Sequence, residues 1–113
     1  MRLFLSILFL LPLCAQPPQG GRGEFKNLKI LKPDQVMTAM RSFTAGLGVK
    51  CDFCHVSGDF ASDDKQPKLT ARTMIGMTRQ INTATFNGRE RVACYTCHRG
   101  ESAPASAPPA AGR

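Results

Sequence analysis

The sequence predicts a small all-α fold made of two repeats, each with a methionine-bearing helix, a turn and a short cysteine-bearing helix. Three observations support this fold class. Apolar side chains recur at helical spacing in two separate segments of the chain. Each segment contains two methionines three residues apart, and each is followed by the same short cysteine motif.

The first predicted helix begins at Pro33 and Asp34, because proline and an acidic residue favour the first turn of a helix. Its apolar stripe consists of Val36, Met37, Met40 and Phe43. We expect Gly46 and Gly48 to end this helix and to allow a tight return of the chain. The preceding residues 25–31 alternate apolar and basic side chains, which predicts a short extended segment packed against the helices.

The second predicted helix follows a polar stretch, Val56 to Lys68, which we interpret as a connecting loop. Thr70 is a suitable cap for this helix, and its apolar face consists of Met74, Met77 and Ile81. A turn at Asn87 and Gly88 then leads to the second cysteine motif.

Composition divides the chain into four parts: a signal peptide (1–15), a flexible linker (16–24), the helical domain (25–100) and a disordered tail (101–113). The first part has a positive start, an apolar run too short for a permanent bilayer span, and Ala15 before a polar stretch. We therefore predict export to the periplasm or to the periplasmic face of the membrane. A lipid anchor at Cys14 is the less favoured alternative, because the preceding Leu13 is bulky for lipoprotein processing.

The length of 113 residues supports one small domain and excludes a large enzyme with a deep cleft. Isoleucine and leucine are sparse after residue 47, so the helical domain is poor in ordinary core side chains. Chains of this kind are usually stabilised by disulfides, a metal or a cofactor.

Every cysteine and histidine after the signal peptide belongs to one of two identical motifs. These motifs are Cys51-Asp52-Phe53-Cys54-His55 and Cys94-Tyr95-Thr96-Cys97-His98. Each has the pattern C-x-x-C-H, the attachment signature of c-type haem. On a helical turn, thiols three residues apart lie on one face and can reach two vinyl groups, while the next residue directs its imidazole toward the iron.

The motifs therefore predict two covalently bound haem c groups. The predicted thioether residues are Cys51, Cys54, Cys94 and Cys97, and the predicted proximal iron ligands are His55 and His98. Two C-x-x-C pairs could instead form one zinc site, or each pair could form a disulfide or a thiol redox pair. Neither alternative explains why a histidine follows both pairs.

The second axial ligand of each iron is predicted to be a methionine, since no histidine remains. The candidates are Met37, Met40, Met74 and Met77. Methionines three apart on a helix also pack in cores, and we expect one member of each pair to do so. Helical facing alone does not separate the members of a pair.

Without residues 1–15, the chain carries 14 basic and 8 acidic side chains, a net charge of +6. Haem propionates would offset about four of these charges, at up to two per haem. Five arginines near the second motif could pair with propionates or stand solvated at the surface: Arg72, Arg79, Arg89, Arg91 and Arg99. Export and the lack of a nucleic-acid motif argue against DNA binding.

The two motif regions resemble the haem units of the photosynthetic reaction-centre cytochrome c subunit family. The resemblance covers about residues 25–100, and its most specific part is Cys-Tyr-Thr-Cys-His-Arg-Gly at 94–100. It implies a small multihaem cytochrome c fold in which each haem lies along a helix that supplies the methionine. It also implies that the first methionine of each pair is the ligand, namely Met37 and Met74, with Met40 and Met77 as alternates. Members bound to reaction centres typically carry four haems, whereas this chain has two motifs.

We therefore expect a dihaem electron carrier with no catalytic residues and no small-molecule substrate. Its expected partners are redox proteins, with a membrane-bound reaction centre or another electron-transfer complex as candidates. Two alternatives stay open: a dihaem enzyme of the peroxidase type, which needs an open iron position, and a zinc-stabilised binding module.

Overall fold

The computed structural model describes residues 24–110. The predicted signal peptide, the predicted linker up to residue 23 and residues 111–113 lie outside this part of the chain. Four α-helices are present in it: α1 (Val36–Leu47), α2 (Cys51–Cys54), α3 (Gln66–Phe86) and α4 (Cys94–His98). Within residues 24–110, β pairing is limited to one isolated bridge between Val56 and Asp59. The predicted all-α fold class is confirmed.

Helix α1 begins where the sequence predicts, after a 3₁₀ turn at Pro33–Gln35. The Gln35 N–H donates to the Lys32 carbonyl (2.9 Å), and the Lys32 N–H donates to Gln35 Oε1 (3.2 Å). At the other end, Gly48 has φ +65 and its N–H donates to the Thr44 carbonyl. Gly48 therefore ends the helix in the left-handed conformation that glycine adopts most readily.

The predicted role of Gly46 as a helix stop is wrong. Gly46 lies inside α1 and is buried. A Cβ atom at this position would lie 3.0 Å from Cys94 Cβ and 3.1 Å from the Tyr95 backbone nitrogen. A glycine stands here because α4 passes directly over the backbone of α1.

Helix α3 begins earlier than predicted, at Gln66, so the connecting loop ends at Lys65 and Thr70 is not its cap. Pro67 lies in the first turn of α3, where a missing N–H costs no intrahelical hydrogen bond and the fixed φ suits a helix. The predicted turn at the other end is confirmed. Asn87 has φ +53, and the Gly88 N–H donates to the Asn82 carbonyl (3.0 Å).

The helices pack between the two halves of the chain: α1 lies against α4, and α2 lies against α3. Each methionine-bearing helix therefore contacts the cysteine-bearing helix of the other half of the chain. At the first of these contacts the Gly100 N–H donates to the Gly46 carbonyl (2.9 Å), which pairs an otherwise orphaned carbonyl near the end of α1.

The core is very small in the described part of the chain. Val36 is the only buried hydrophobic side chain there, at 6% exposed. Several large apolar side chains are exposed, among them Met37, Phe53, Phe60, Leu69, Met74, Met77 and Tyr95. Side-chain packing alone therefore contributes little hydrophobic stabilisation to this fold.

Asn82 on α3 is the buried polar side chain of residues 24–110, and it holds the segment that leads to α4. Its Oδ1 accepts from the backbone N–H groups of Arg91 (3.0 Å) and Val92 (2.9 Å). Its Nδ2 donates to the Val92 carbonyl (2.8 Å). These three hydrogen bonds position the residues immediately before the second cysteine motif.

The N-terminal segment packs against the rest of the molecule as predicted, but it is not regularly extended. Asn27 has φ +59, which interrupts the run. Its Nδ2 donates to the Ala61 carbonyl (2.7 Å) and to Asp63 Oδ1 (2.9 Å). Arg79 Nη1 donates to the Ile30 carbonyl (3.1 Å), so this segment contacts both the connecting loop and α3.

Candidate functional site

The first cysteine motif forms the single turn of α2. Cys51 is exposed and Cys54 is half-buried. The three-residue spacing on this turn puts both thiols on one side. His55 follows at the end of the helix with an extended backbone (φ −115, ψ 146), and its N–H donates to the Cys51 carbonyl (3.0 Å). The imidazole thus leaves the chain at the residue directly after the second cysteine of the motif.

The His55 ring is oriented by a backbone carbonyl. Its Nδ1 lies 2.9 Å from the carbonyl oxygen of Phe60. A carbonyl oxygen only accepts, so Nδ1 must carry the proton and Nε2 must present a lone pair. The Phe60 ring also lies beside the imidazole, with the ring centroids 5.2 Å apart.

The second motif forms α4 and reaches the same arrangement by a different local route. The Thr96 hydroxyl accepts from the Ala93 N–H (3.0 Å) at the start of the helix, and Arg99 ends it with φ +56. His98 Nδ1 lies 3.0 Å from the Glu101 carbonyl oxygen. The partner carbonyl is three residues away, compared with five in the first motif. Here too the geometry puts the proton on Nδ1 and leaves the Nε2 lone pair available.

An open groove of about 580 Å³ lies beside the first motif. Thr44 of α1 lines it together with Cys51, His55 and Phe60. Met37 lies two helical turns before Thr44 on nearly the same stripe of α1, because seven residues are close to two turns. The groove is therefore bounded by the first motif and by Thr44 near the end of α1.

A second groove, of about 660 Å³, runs between α1, α3 and the segment before α4. Cys94 lines it, but neither His55 nor His98 does. This groove therefore gives no separate indication of where a ligand of the second motif would lie.

The predicted methionines lie on α1 and α3, and three of them are exposed. Met37 is 54%, Met74 39% and Met77 43% exposed, whereas Met40 is half-buried. Met40 thus lies on the same side of α1 as the buried Val36, four residues earlier.

The four thiols are free in the structure. Burial raises the pKa of the Cys54 and Cys94 thiols above the usual value, so both are neutral near pH 7. Within residues 24–110, no three histidine, cysteine, aspartate or glutamate side chains converge as a metal site would require.

Comparison with known proteins identifies the family. The family model described as "Photosynthetic reaction centre cytochrome C subunit" matches residues 22–108, which is most of the chain. The chain belongs to the reaction-centre cytochrome c subunit family. The resemblance of the two motif regions to this family is thereby confirmed.

Individual relatives of this cytochrome family are moderately similar to the chain. The photosynthetic reaction center cytochrome c subunit of Roseobacter denitrificans is 35% identical over 105 residues, covering 77% of this chain and 28% of the relative. That of Thermochromatium tepidum is 34% identical over 87 residues, covering 71% and 22%. Cytochrome c-554 of Chloroflexus aurantiacus is 37% identical over 71 residues, covering 57% and 17%. The chain thus spans only about a quarter or less of the length of these relatives.

In this member of the reaction-centre cytochrome family, a hydrogen-bonded cluster lies beside the first motif. The motifs alone do not predict it. Lys68 Nζ lies 2.9 Å from the carbonyl oxygen of Phe60, the same oxygen that accepts from His55. Asp63 pairs with Lys68 (3.2 Å) and with Arg72 (2.9 Å). Hydrogen bonds from Arg72 and then from Asn27 hold the pKa of the Asp63 carboxyl well below its usual range.

Two of the arginines that we expect near the second motif have other partners. Arg72 binds Asp63 and the Asn27 carbonyl near the first motif, and Arg79 binds the Ile30 carbonyl. The only sequence signal for the cluster is the four-residue spacing of Lys68 and Arg72, which puts both cations on one face of α3.

No helix in the described part of this family member combines the length and apolar character needed to cross a bilayer.

Proposed function

We propose that the chain is a dihaem c-type cytochrome that carries single electrons between redox partners. One observation carries the proposal: each C-x-x-C-H histidine donates its Nδ1–H to a backbone carbonyl and so presents Nε2 as a free ligand. The arrangement occurs in both motifs, although the acceptor carbonyl is five residues from the histidine in the first motif and three in the second. Packing alone gives no reason for both rings to adopt it.

The donor set fits covalently bound haem c. The thioether positions are Cys51, Cys54, Cys94 and Cys97, and the proximal ligands are His55 and His98. None of the four cysteines is paired in a disulfide within residues 24–110. The chemistry that the bound group supplies is reversible one-electron exchange at iron.

The protein's part in this chemistry is to hold the ligands still. The carbonyls of Phe60 and Glu101 hold the two imidazole rings in one orientation and one tautomer. With haem bound, electron transfer would need little nuclear rearrangement, because a fixed histidine and a methionine can ligate both oxidation states of iron. We infer no catalytic residue and no substrate bound at iron.

Met37 and Met74 are the proposed distal ligands. Met37 shares its stripe on α1 with Thr44, which lines the groove at His55, whereas Met40 turns toward the packed face. On α3 the half-buried face includes Thr78 and Ile81, and Met74 lies closer to that face than Met77 does. Met74 is also slightly less exposed, at 39% compared with 43% for Met77.

The proposed setting is the periplasm or the periplasmic face of the membrane, with redox proteins as partners. A predicted signal peptide and the family support this setting. Relatives are named as subunits of photosynthetic reaction centers, which makes a reaction centre one candidate partner and photosynthetic electron transfer one candidate pathway.

The test is expression of the full chain in a host that attaches haem c, followed by haem quantification, mass spectrometry and absorption spectroscopy. We expect two covalent haems per chain and a methionine-to-iron charge-transfer band in the oxidised protein. The variant Cys51→Ser/Cys54→Ser should retain one haem, attached at the second motif. A colourless zinc-containing protein would contradict the proposal, and a high-spin ferric signal would favour the peroxidase-type alternative.

A further inference from the structure

The carbonyl oxygen of Phe60 accepts two hydrogen bonds from different parts of the chain. His55 Nδ1 approaches it from the first motif at 2.9 Å, and Lys68 Nζ approaches it from α3 at 2.9 Å. Among the described residues, the corresponding carbonyl of Glu101 accepts only from His98. The two histidines therefore differ in the environment of their hydrogen-bond acceptor.

Lys68 is held firmly in this position. Its ammonium also donates to the carbonyls of Ala61 (2.9 Å) and Ser62 (2.6 Å), and its side chain is only 12% exposed. Asp63 offsets part of its charge, but Arg72 shares the same carboxylate. The cluster of Asp63, Lys68 and Arg72 thus combines two cations with one anion and carries a net positive charge.

A cation on the shared oxygen has two electrostatic consequences for the imidazole. First, the ammonium withdraws electron density from the carbonyl, so the oxygen is a weaker acceptor for the histidine N–H. A weaker hydrogen bond at Nδ1 leaves Nε2 less electron-rich and less able to stabilise ferric iron. Second, a nearby positive charge disfavours the more positive oxidation state directly. Both effects raise a reduction potential.

We propose that Lys68 raises the reduction potential of the haem bound at the first motif, and that the second motif has no equivalent tuning residue among the described residues. The inference rests on the proposed haem ligation by His55 and His98. Lys68 acts through the Phe60 carbonyl and is a positioning residue, not an iron ligand. It makes the two haems inequivalent, although their attachment motifs are the same.

The test is a spectroelectrochemical titration of the holoprotein and its Lys68→Met variant. Methionine retains an unbranched side chain of similar length but removes the charge. We expect one of the two potentials to fall, with about a tenfold change in the equilibrium constant for reduction, or about 59 mV for a one-electron couple. The other potential should stay unchanged. Hyperfine-shifted ring signals of His55 identify which haem has moved.

Asp63→Asn tests the same inference with the opposite sign. Loss of the carboxylate leaves the ammonium less compensated, so the potential of the first haem should rise. A purely structural role of the cluster would let both variants loosen the loop and shift the potential in one direction. Opposite shifts would support electrostatic tuning.

Two further variants separate charge from stability. Lys29→Met removes an exposed lysine of the N-terminal segment and should leave both potentials unchanged. Lys68→Arg keeps the charge and should retain the wild-type potential even if the melting temperature falls. If Lys68→Met does not fold, Asp63→Asn and Lys68→Arg still decide the matter.

The outcomes distinguish this inference from the proposed function. A chain that binds fewer than two haems overturns the proposed function. A dihaem protein whose potentials do not respond to Lys68→Met and Asp63→Asn, or respond with the same sign, overturns the role of Lys68 alone.

Discussion

Gly48→Ala should disrupt the contact between α1 and α4. Gly48 has φ +65, and a Cβ atom there would overlap the carbonyl oxygen of Gly100 and lie 2.9 Å from the carbonyl carbon of the same residue. Both are backbone atoms, so no side-chain rotation relieves the overlap. The end of α1 and the residues after α4 must therefore move apart.

The expected destabilisation has three contributions. A non-glycine residue in the left-handed conformation costs about 1–2 kcal/mol, and overpacking of a tight contact costs about 1–3 kcal/mol. Loss of the hydrogen bond from Gly100 N–H to the Gly46 carbonyl costs roughly 1 kcal/mol. Together they predict a loss of roughly 3–6 kcal/mol, which is a large fraction of the 5–15 kcal/mol typical of a whole domain.

The assay is denaturant unfolding of the holoprotein, followed by far-ultraviolet circular dichroism. Gly58→Ala is a matched control, because Gly58 has φ +81 and a Cβ atom there would have no heavy-atom neighbour within 4 Å. That variant measures the left-handed conformational cost alone. If Gly48→Ala is no less stable than Gly58→Ala, the steric argument for the α1–α4 contact is refuted.

Three further predictions concern separate parts of the molecule. Asn82→Ala should lower the free energy of unfolding by about 2–4 kcal/mol, because it leaves backbone groups of residues 91 and 92 without partners; a change within about 0.5 kcal/mol in denaturant unfolding would contradict this. Met74→Ala should remove the methionine-to-iron charge-transfer band of one haem, whereas Met77→Ala should retain it; the reverse result in absorption spectra would assign Met77 as the ligand. Asp63 has a pKa lowered by Arg72 and Asn27, so its contribution to stability is present above pH ~4 and is lost as the pH falls toward its folded-state pKa. Asp63→Asn should remove this part of the acid dependence of the melting temperature, and an unchanged acid profile would show that the carboxylate pairing does not stabilise the fold.

Local sequence signals predicted the helices well where the deciding interactions are themselves local. Pro33 begins the turn that leads into α1, and Asn87 and Gly88 end α3, as expected. The predicted start of α3 was wrong. Thr70 is a suitable cap, but Pro67 is suited to the first turn of a helix, and α3 begins at Gln66. The role of Gly46 was predicted wrongly because a glycine is required there by a contact with α4, which lies more than forty residues further along the chain.

The chemistry proposed for the candidate site can be predicted from the sequence by itself. Two thiols and an imidazole within five consecutive residues need only one helical turn to reach one group, so their spacing predicts a shared cofactor. The family was indicated by longer stretches around the motifs, above all Cys-Tyr-Thr-Cys-His-Arg-Gly at 94–100. Helical facing did not separate the two candidate methionines of each pair, because residues three apart share one side of a helix.

Tertiary structure alone decided which helices meet and what surrounds each histidine. The packing of α1 on α4 and of α2 on α3 depends on backbone contacts, such as that of Gly46 with Gly100. No local sequence pattern predicts such contacts. Lys68 reaches the Phe60 carbonyl only because the connecting loop folds back over the start of α3. Motif spacing is a local property of the chain and predicts the ligand set, whereas hydrogen-bond acceptors and charges gather around a histidine only when distant segments fold together.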